Sequence, residues 1–166
     1  MKMQNDLPQR KPTRLRKYDY SKKGVYFITI CTQDRKNVLS QIVGEGSPLP
    51  KLTNIGIITD KWINRIHEYC NNYRVDCYVI MPNHIHLMLS INNNGRGDLS
   101  PTVYDVVGWM KYQITRDINA NADAKLKIFQ RSFHDHIIRN QDDFNKIYEY
   151  IRDNPKLWRL DRFYEE

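Results

Sequence analysis

Two histidines one residue apart, His84 and His86, lie inside the apolar run VIMPNHIHLML, residues 79–89. Such a run reads as a strand, in which residues i and i+2 share a face. His84, His86 and Met88 then point one way, and Ile85, Leu87 and Leu89 point the other, towards a core. Two neutral imidazoles side by side form a ready pair of ligands for a divalent metal. Two ligands alone rarely hold an ion, so a third must come from elsewhere in the chain. The competing reading is two histidines on a solvated strand face, or one of them hydrogen-bonded in a small core.

His134 and His136, in FHDH, would also share a face if that segment is extended. They could extend the same site, bind phosphate or sit at the surface. His67 falls on a helix and reads as structural or exposed. The last helical segment, NQDDFNKIYEYIRDNP, carries more information. At about 100° per residue, Phe144, Ile147, Tyr148 and Ile151 cluster on one face, so Tyr148 reads as a packing residue. Tyr150 falls at the edge of that stripe. Asn154 lies one turn further on, beside it. A phenol and an amide oxygen are thus displayed together at the margin of a buried face. The plainer reading is an amphipathic tyrosine and an asparagine that ends the helix before Pro155.

The elements that must position these groups follow from periodicity. GVYFITICT (24–32) is β-branched and aromatic, hence a strand. The Gly- and Pro-rich stretch 44–53 is a loop or hairpin tip. Ile57, Ile58, Trp62, Ile66 and Tyr69 recur at helical spacing and predict a helix over about 54–70. Strands follow at 74–82 and 84–91, with a loop at 92–98. A helix then opens with Ser100 as N-cap and Pro101 at its first position, with Val103, Val106, Val107, Met110 and Ile114 as its apolar stripe. Residues 128–139 form a short strand or irregular segment, and the last helix stops before Pro155. The order, roughly β-α-β-β-α-β-α, predicts an α+β fold: a split βαβ (ferredoxin-like) antiparallel sheet with helices on one face.

Composition sets the outer bounds. The 166 residues suffice for one domain with a single core. No apolar run approaches the roughly 18–20 residues of a membrane span, and the basic N-terminus has no following apolar stretch, so neither a membrane anchor nor a secretory signal is expected. Three cysteines, Cys31, Cys70 and Cys77, are too few and wrongly spaced for a disulfide scaffold or a cysteine zinc site, and suit a reducing cytoplasm. The formal charge is +7, part of it in Arg10, Lys11, Arg14, Arg16, Lys17, Lys22 and Lys23, with Tyr18 and Tyr20 interleaved. A basic arm with aromatics suits a phosphate backbone and stacked bases; a solvated tail has the same composition.

Four blocks taken together, YDYSKKGVYFITICT, CYVIMPNHIHLML, FQRSFHDHIIRN and YEYIRDNPKLW, resemble the REP-associated tyrosine transposases, stand-alone relatives of the single-tyrosine HUH transposases of bacterial insertion sequences. The resemblance covers about residues 10–158, in the family's order. It implies that His84 and His86 bind Mg²⁺ or Mn²⁺, that Tyr150 is the catalytic tyrosine and that Asn154 is the third metal ligand. It implies a basic arm at 1–23, a catalytic domain at 24–158 and a short tail at 159–166. The implied reaction is cleavage and strand transfer of single-stranded DNA through a 5′-phosphotyrosine, at hairpin-forming repeats with a short guide sequence beside them. Arg14, Arg16, Lys17, Arg131 and Arg139 become candidate phosphate contacts, and His134 and His136 possible additional site residues. Relatives often carry Glu or a similar residue before the first histidine. Asn83 stands there in this chain, a difference of little expected consequence for ligation.

Other readings are weaker. A histidine-triad hydrolase needs a third histidine where Met88 stands, and a two-histidine phosphoesterase needs HxT or HxS motifs. Tyr148 and Tyr112 are alternative nucleophiles, but Tyr148 points about 160° away from Tyr150, so both cannot serve one site, and Tyr112 lies on a helix without an adjacent ligand. The alternative to catalysis is a domesticated protein that binds DNA hairpins without cutting. Single-stranded or hairpin DNA is the expected partner, no membrane is expected, and monomer and homodimer both stay open. A cytoplasmic, nucleoid-associated location would follow.

Overall fold

The computed structural model describes residues 19–44, 50–92, 100–120 and 122–165. Four strands build the main sheet: β1 (Gly24–Cys31), β4 (Tyr73–Ile80), β5 (His84–Ile91) and β6 (His134–Ile138), in the spatial order β4-β5-β1-β6. Each neighbouring pair is antiparallel. Helix α1 (Asn54–Ile63) and the single turn α2 (Ile66–Tyr69) carry the chain from β1 to β4, and β5 lies between those two strands. Helix α3 (Val103–Asn119) likewise links β5 to β6 across β1. Two crossovers, each split by an inserted strand, make the ferredoxin-like plan that the sequence predicts. A two-residue pair, β2 (Ser40–Gln41) with β3 (Lys51–Leu52), closes the hairpin tip ahead of α1.

The strand alternation sorts the sheet into two faces. Tyr26, Ile28 and Ile30 of β1 and Ile85, Leu87 and Leu89 of β5 join Val103, Val106, Val107, Met110 and Ile114 of α3 in the main core. The α3 stripe is the one read from the sequence. Its start is two residues later than expected, because Thr102 rather than Ser100 is the N-cap. The Thr102 side chain accepts from the Asp105 backbone N–H, and the Asp105 carboxylate accepts from the Thr102 N–H (2.8 Å). That reciprocal pair outcompetes a serine followed by proline. On α1 the buried residues are Gly56, Thr59, Trp62 and Ile63, whereas Ile57 is exposed, because the helix presses its first turn onto the Leu39 backbone. A Cβ at Gly56 would lie 2.0 Å from the Leu39 carbonyl oxygen, so only glycine fits that approach.

Helix α4 (Gln141–Asp153) and a 3₁₀ turn (Asn154–Leu160) lie on the second face, where Ile151 and Trp158 pack with Val79, Met81, Met88 and Ile138. The fold class is as expected, and this face is covered by α4 where α1 and α3 cover the first. Tyr20, at the end of the basic arm, is buried and stands edge-on to Tyr104 (4.9 Å), so its ring is not offered to bases.

Candidate active site

The chain turns from β4 to β5 in three residues, and this turn fixes His84. Thr32, just past β1, anchors it: its backbone N–H and its hydroxyl both donate to the Asn83 carbonyl (2.9 and 3.0 Å). Asn83 Nδ2 donates to the Phe163 carbonyl (2.7 Å), which fixes the amide so that Oδ1 faces His84 Nδ1 (2.9 Å). An amide oxygen only accepts, so Nδ1 of His84 carries the proton and its Nε2 is a lone pair. His86 Nδ1 is held by the Thr29 hydroxyl (2.9 Å) on the neighbouring strand. The two Nε2 atoms face each other at 3.1 Å. Asn83, expected to matter little, is therefore what orients the first imidazole, as outer hydrogen bonds commonly do for ligating histidines.

Tyr150 and Asn154 come from the end of α4. The Asn140 side chain caps this helix by accepting from Asp143 N (2.8 Å), which sets its start and hence its phase. Ile151 is the buried centre of the helix face, with Tyr150 and Asn154 on one flank and Tyr148 on the other. Tyr148, expected to pack in the core, is 42% exposed and stacks on Phe144 (6.2 Å) above β4. The Tyr150 hydroxyl lies 3.2 Å from His86 Nε2. Tyr150 meets the histidines of its own chain.

Asp161 completes it, and the sequence offered no sign of this. It sits seven positions beyond Asn154, where the 3₁₀ turn brings it back over the histidines. Its Oδ2 accepts from Asn154 Nδ2 (2.7 Å) and Tyr150 Oη (3.3 Å) and stands 4.0 Å from His84 Nε2. Asp161 Oδ1 accepts from Phe163 N (2.7 Å). Phe163 caps the pair, 4.7 Å from the His84 ring. Asp161 and Phe163 thus belong to the segment expected as a tail. The C-terminal segment covers the site so well that His84 and His86 are 0% and 1% exposed.

The donor set fits a divalent cation. One ligand atom each from His84, His86 and Asp161 lies within 4.8 Å of the others. Asn154 Oδ1, expected as a ligand, is buried and has no hydrogen-bond partner among the described residues, an orphan that an ion would satisfy. Burial pushes the His84 imidazole down to about 4, partly offset by the Asp161 carboxylate. Burial, and then the nearness of His84, holds His86 well below its ordinary value. Both rings are thus neutral at physiological pH, the state that binds metal. Burial, reinforced by the Asp161 charge, pushes the Tyr150 phenol up to about 12.

The remaining candidates lie apart. His134 and His136 share the face of Thr29 and Phe27, one strand beyond β1 from His86. His136 Nε2 pairs with Asp143 (2.9 Å) instead of joining the cluster. Arg131 and Arg139 are exposed on either side of β6, and Tyr112 and His67 are exposed elsewhere. Arg14, Arg16, Lys17 and Tyr18 fall outside the described residues.

Known proteins agree with this architecture. The family model for IS200-like transposases matches residues 21–154. A Haemophilus influenzae protein without an assigned function is 30% identical over 95% of this chain and 94% of its own length. A second protein from that organism, provisionally named a REP-associated tyrosine transposase, is 28% identical over 82% of this chain and 73% of its own length. A REP-associated tyrosine transposase solved bound to a REP hairpin shares the fold, with a TM-score of 0.61 at 23% identity over 86% of this chain and 72% of that one. Among the described residues no helix is long and apolar enough to cross a membrane. With the family model spanning most of its length, the chain belongs to the IS200-like transposase family.

Proposed function

We propose that the protein cleaves and rejoins single-stranded DNA beside hairpin-forming repeats, with Tyr150 as the nucleophile. The carrying observation is the Tyr150 hydroxyl 3.2 Å from His86 Nε2, inside a cluster of two neutral imidazoles and one carboxylate. Cutting a phosphodiester without external energy needs a nucleophile that stores the bond. A phenolate does so, because the 5′-phosphotyrosine formed is a diester that a free 3′-OH can attack later. The Tyr150 hydroxyl donates to Asp161 Oδ2 (3.3 Å), which orients the phenol; with that carboxylate on a bound metal ion, the phenol proton leaves to solvent. His84, His86 and Asp161, with Asn154 beside them, would hold Mg²⁺ or Mn²⁺. When bound, the ion polarises the scissile phosphate and lowers the cost of ionising a phenol that burial has pushed up to about 12. Asn83 and Thr29 keep the two imidazoles aimed at that place.

The named relative and the solved hairpin complex support hairpin DNA as partner. Tyr150 beside the histidines of its own chain favours a monomer acting in cis. Residues 1–23 serve as a basic arm whose Arg14, Arg16 and Lys17 meet phosphates, with Arg131 and Arg139 as further contacts. Activity on chromosomal DNA places the protein with the nucleoid. Because the imidazoles are covered, the Phe163 ring that caps them must swing aside, with Asp161 kept in place, for a phosphate to enter.

A denaturing gel with labelled hairpin oligonucleotides and Mn²⁺, Mg²⁺ or EDTA tests the reading. A metal-dependent covalent protein–DNA band, absent from Tyr150→Phe and present in Tyr148→Phe, is expected. Binding without any covalent band across a broad oligonucleotide set would instead identify a non-cutting hairpin-binding protein.

A further inference from the structure

Helix α4 does not cover the whole second face. β1 is an inner strand, yet Phe27 on that face is only partly buried. Beside it opens a cavity of about 470 Å³ bounded by Phe27, Thr29, His134, His136, Asp143 and Arg162. It adjoins the active site directly. The Thr29 hydroxyl holds His86, and the Phe27 ring lies 5.2 Å from the His86 ring and 6.1 Å, edge-on, from Tyr150.

The polar groups of this cavity divide into engaged and uncommitted. His136 and Asp143 pair with each other (2.9 Å) and form a fixed wall. His134 is exposed, and its imidazole makes no hydrogen bond to another described residue. Arg162 has no salt bridge among these residues, and its guanidinium rests on the Phe163 ring at 4.5 Å. An aromatic wall that reaches the nucleophile, with one uncommitted imidazole a strand away and one uncommitted guanidinium lining the same cavity, complements a flat base attached to a phosphate.

We infer that this cavity seats the unpaired nucleotide next to the scissile phosphate, with Phe27 against the base, His134 reading its edge and Arg162 on its phosphate. The inference rests on the proposed reading of Tyr150 and deepens it, because it says where sequence beside a hairpin is read. Base contacts specify and phosphate contacts position, so the two residues have separable effects.

The test is binding alone, in EDTA, so no cleavage is required. A stem-loop pool with six randomised nucleotides on each side of its foot is incubated with the wild type, His134→Ala and Arg162→Ala. The bound fraction is sequenced and its affinity measured by fluorescence anisotropy. The wild type is expected to select a base at one flanking position. His134→Ala should flatten that preference about tenfold at that position alone, and Arg162→Ala should weaken all flanked sequences by a similar factor without changing the preference. Both variants should bind the bare stem-loop as the wild type does. A wild-type preference unchanged in His134→Ala overturns the nucleotide seat and leaves the Tyr150 reading intact. An absence of any hairpin binding by the wild type overturns the reading beneath it.

Discussion

Strand β5 presents two faces with the same burial and opposite chemistry. Ile85, Leu87 and Leu89 are each 0% exposed, and His84, His86 and Met88 are no more than 1% exposed. On the first side carbon meets carbon beneath α1 and α3, and burial is favourable by itself. On the second side every imidazole nitrogen taken from water must be repaid with a partner. Asn83 and Thr29 satisfy the Nδ1 atoms, and Asp161, Tyr150 and the facing Nε2 atoms surround the others. The first face holds the fold together, and the second gathers the groups proposed to do chemistry, at some expense to stability. Equal burial thus has two different causes on one strand.

The largest effect should separate the faces. Leu87→Ala removes a fully buried side chain and should cost about 2–5 kcal/mol, a sizeable part of a domain's stability. Urea unfolding measures that loss, while the folded fraction should still form the covalent adduct. His86→Ala should do the reverse. It removes a proposed ligand and should lower adduct formation by about a thousandfold, equivalent to several kcal/mol of transition-state charge stabilisation. If both variants lose stability and chemistry in the same proportion, the division between the faces is wrong.

Acid sharpens the comparison. His84 is held near 4 in the folded chain against an ordinary 6.5, so between those values the unfolded state binds the proton and the folded state resists it. Stability from keeping this ring neutral is present above 6.5 and falls as pH drops towards 4. His86 is shifted in the same direction. Thermal unfolding followed from pH 7 to 4 should show a decline that a His84→Asn/His86→Asn double variant flattens. An equally steep decline in the double variant would place the acid sensitivity elsewhere.

The apolar face was legible in the sequence because periodicity alone determines it. The α3 stripe from Val103 to Ile114 and the inward set of β5 need nothing beyond spacing. The pairing of Tyr150 with Asn154 was legible for the same reason, since both lie on one helix. Asp161 was not, because a 3₁₀ turn carries it back over the sheet and no repeat marks that return. Asn83 was underrated because its role is to fix a neighbour's tautomer, which requires knowing that Phe163 approaches from eighty residues away. Tyr148 shares the spacing of the stripe yet is 42% exposed, because spacing does not show how much of the stripe the sheet beneath it covers. Only the position of α4 over β4 decides which flank faces the histidines.

Asn83→Ala should weaken Mn²⁺ binding by about 10–100-fold, the usual loss when a ligating histidine loses the group that orients it. Calorimetric titration of the metal measures this without DNA. Asn83→Asp keeps an acceptor for His84 Nδ1 and should restore most of the affinity, an outcome that a purely structural role for the hydrogen bond to Phe163 would not produce.

The smallest effect tests the asymmetry within α4. Tyr148 and Tyr150 are almost equally exposed, 42% and 41%, so accessibility cannot tell them apart. Their surroundings do. Tyr150 lies 5.1 Å from the His86 ring, whereas Tyr148 borders Cys77, Val79 and Arg152 on the other flank. Tyr148→Phe deletes a hydroxyl with no partner in the cluster and should change both stability and adduct formation by less than about twofold, within the range of surface substitutions away from special features. A larger loss of adduct in Tyr148→Phe than in Tyr150→Phe would mean that α4 meets DNA with its opposite flank, and the helix would have to turn about its own axis to cut.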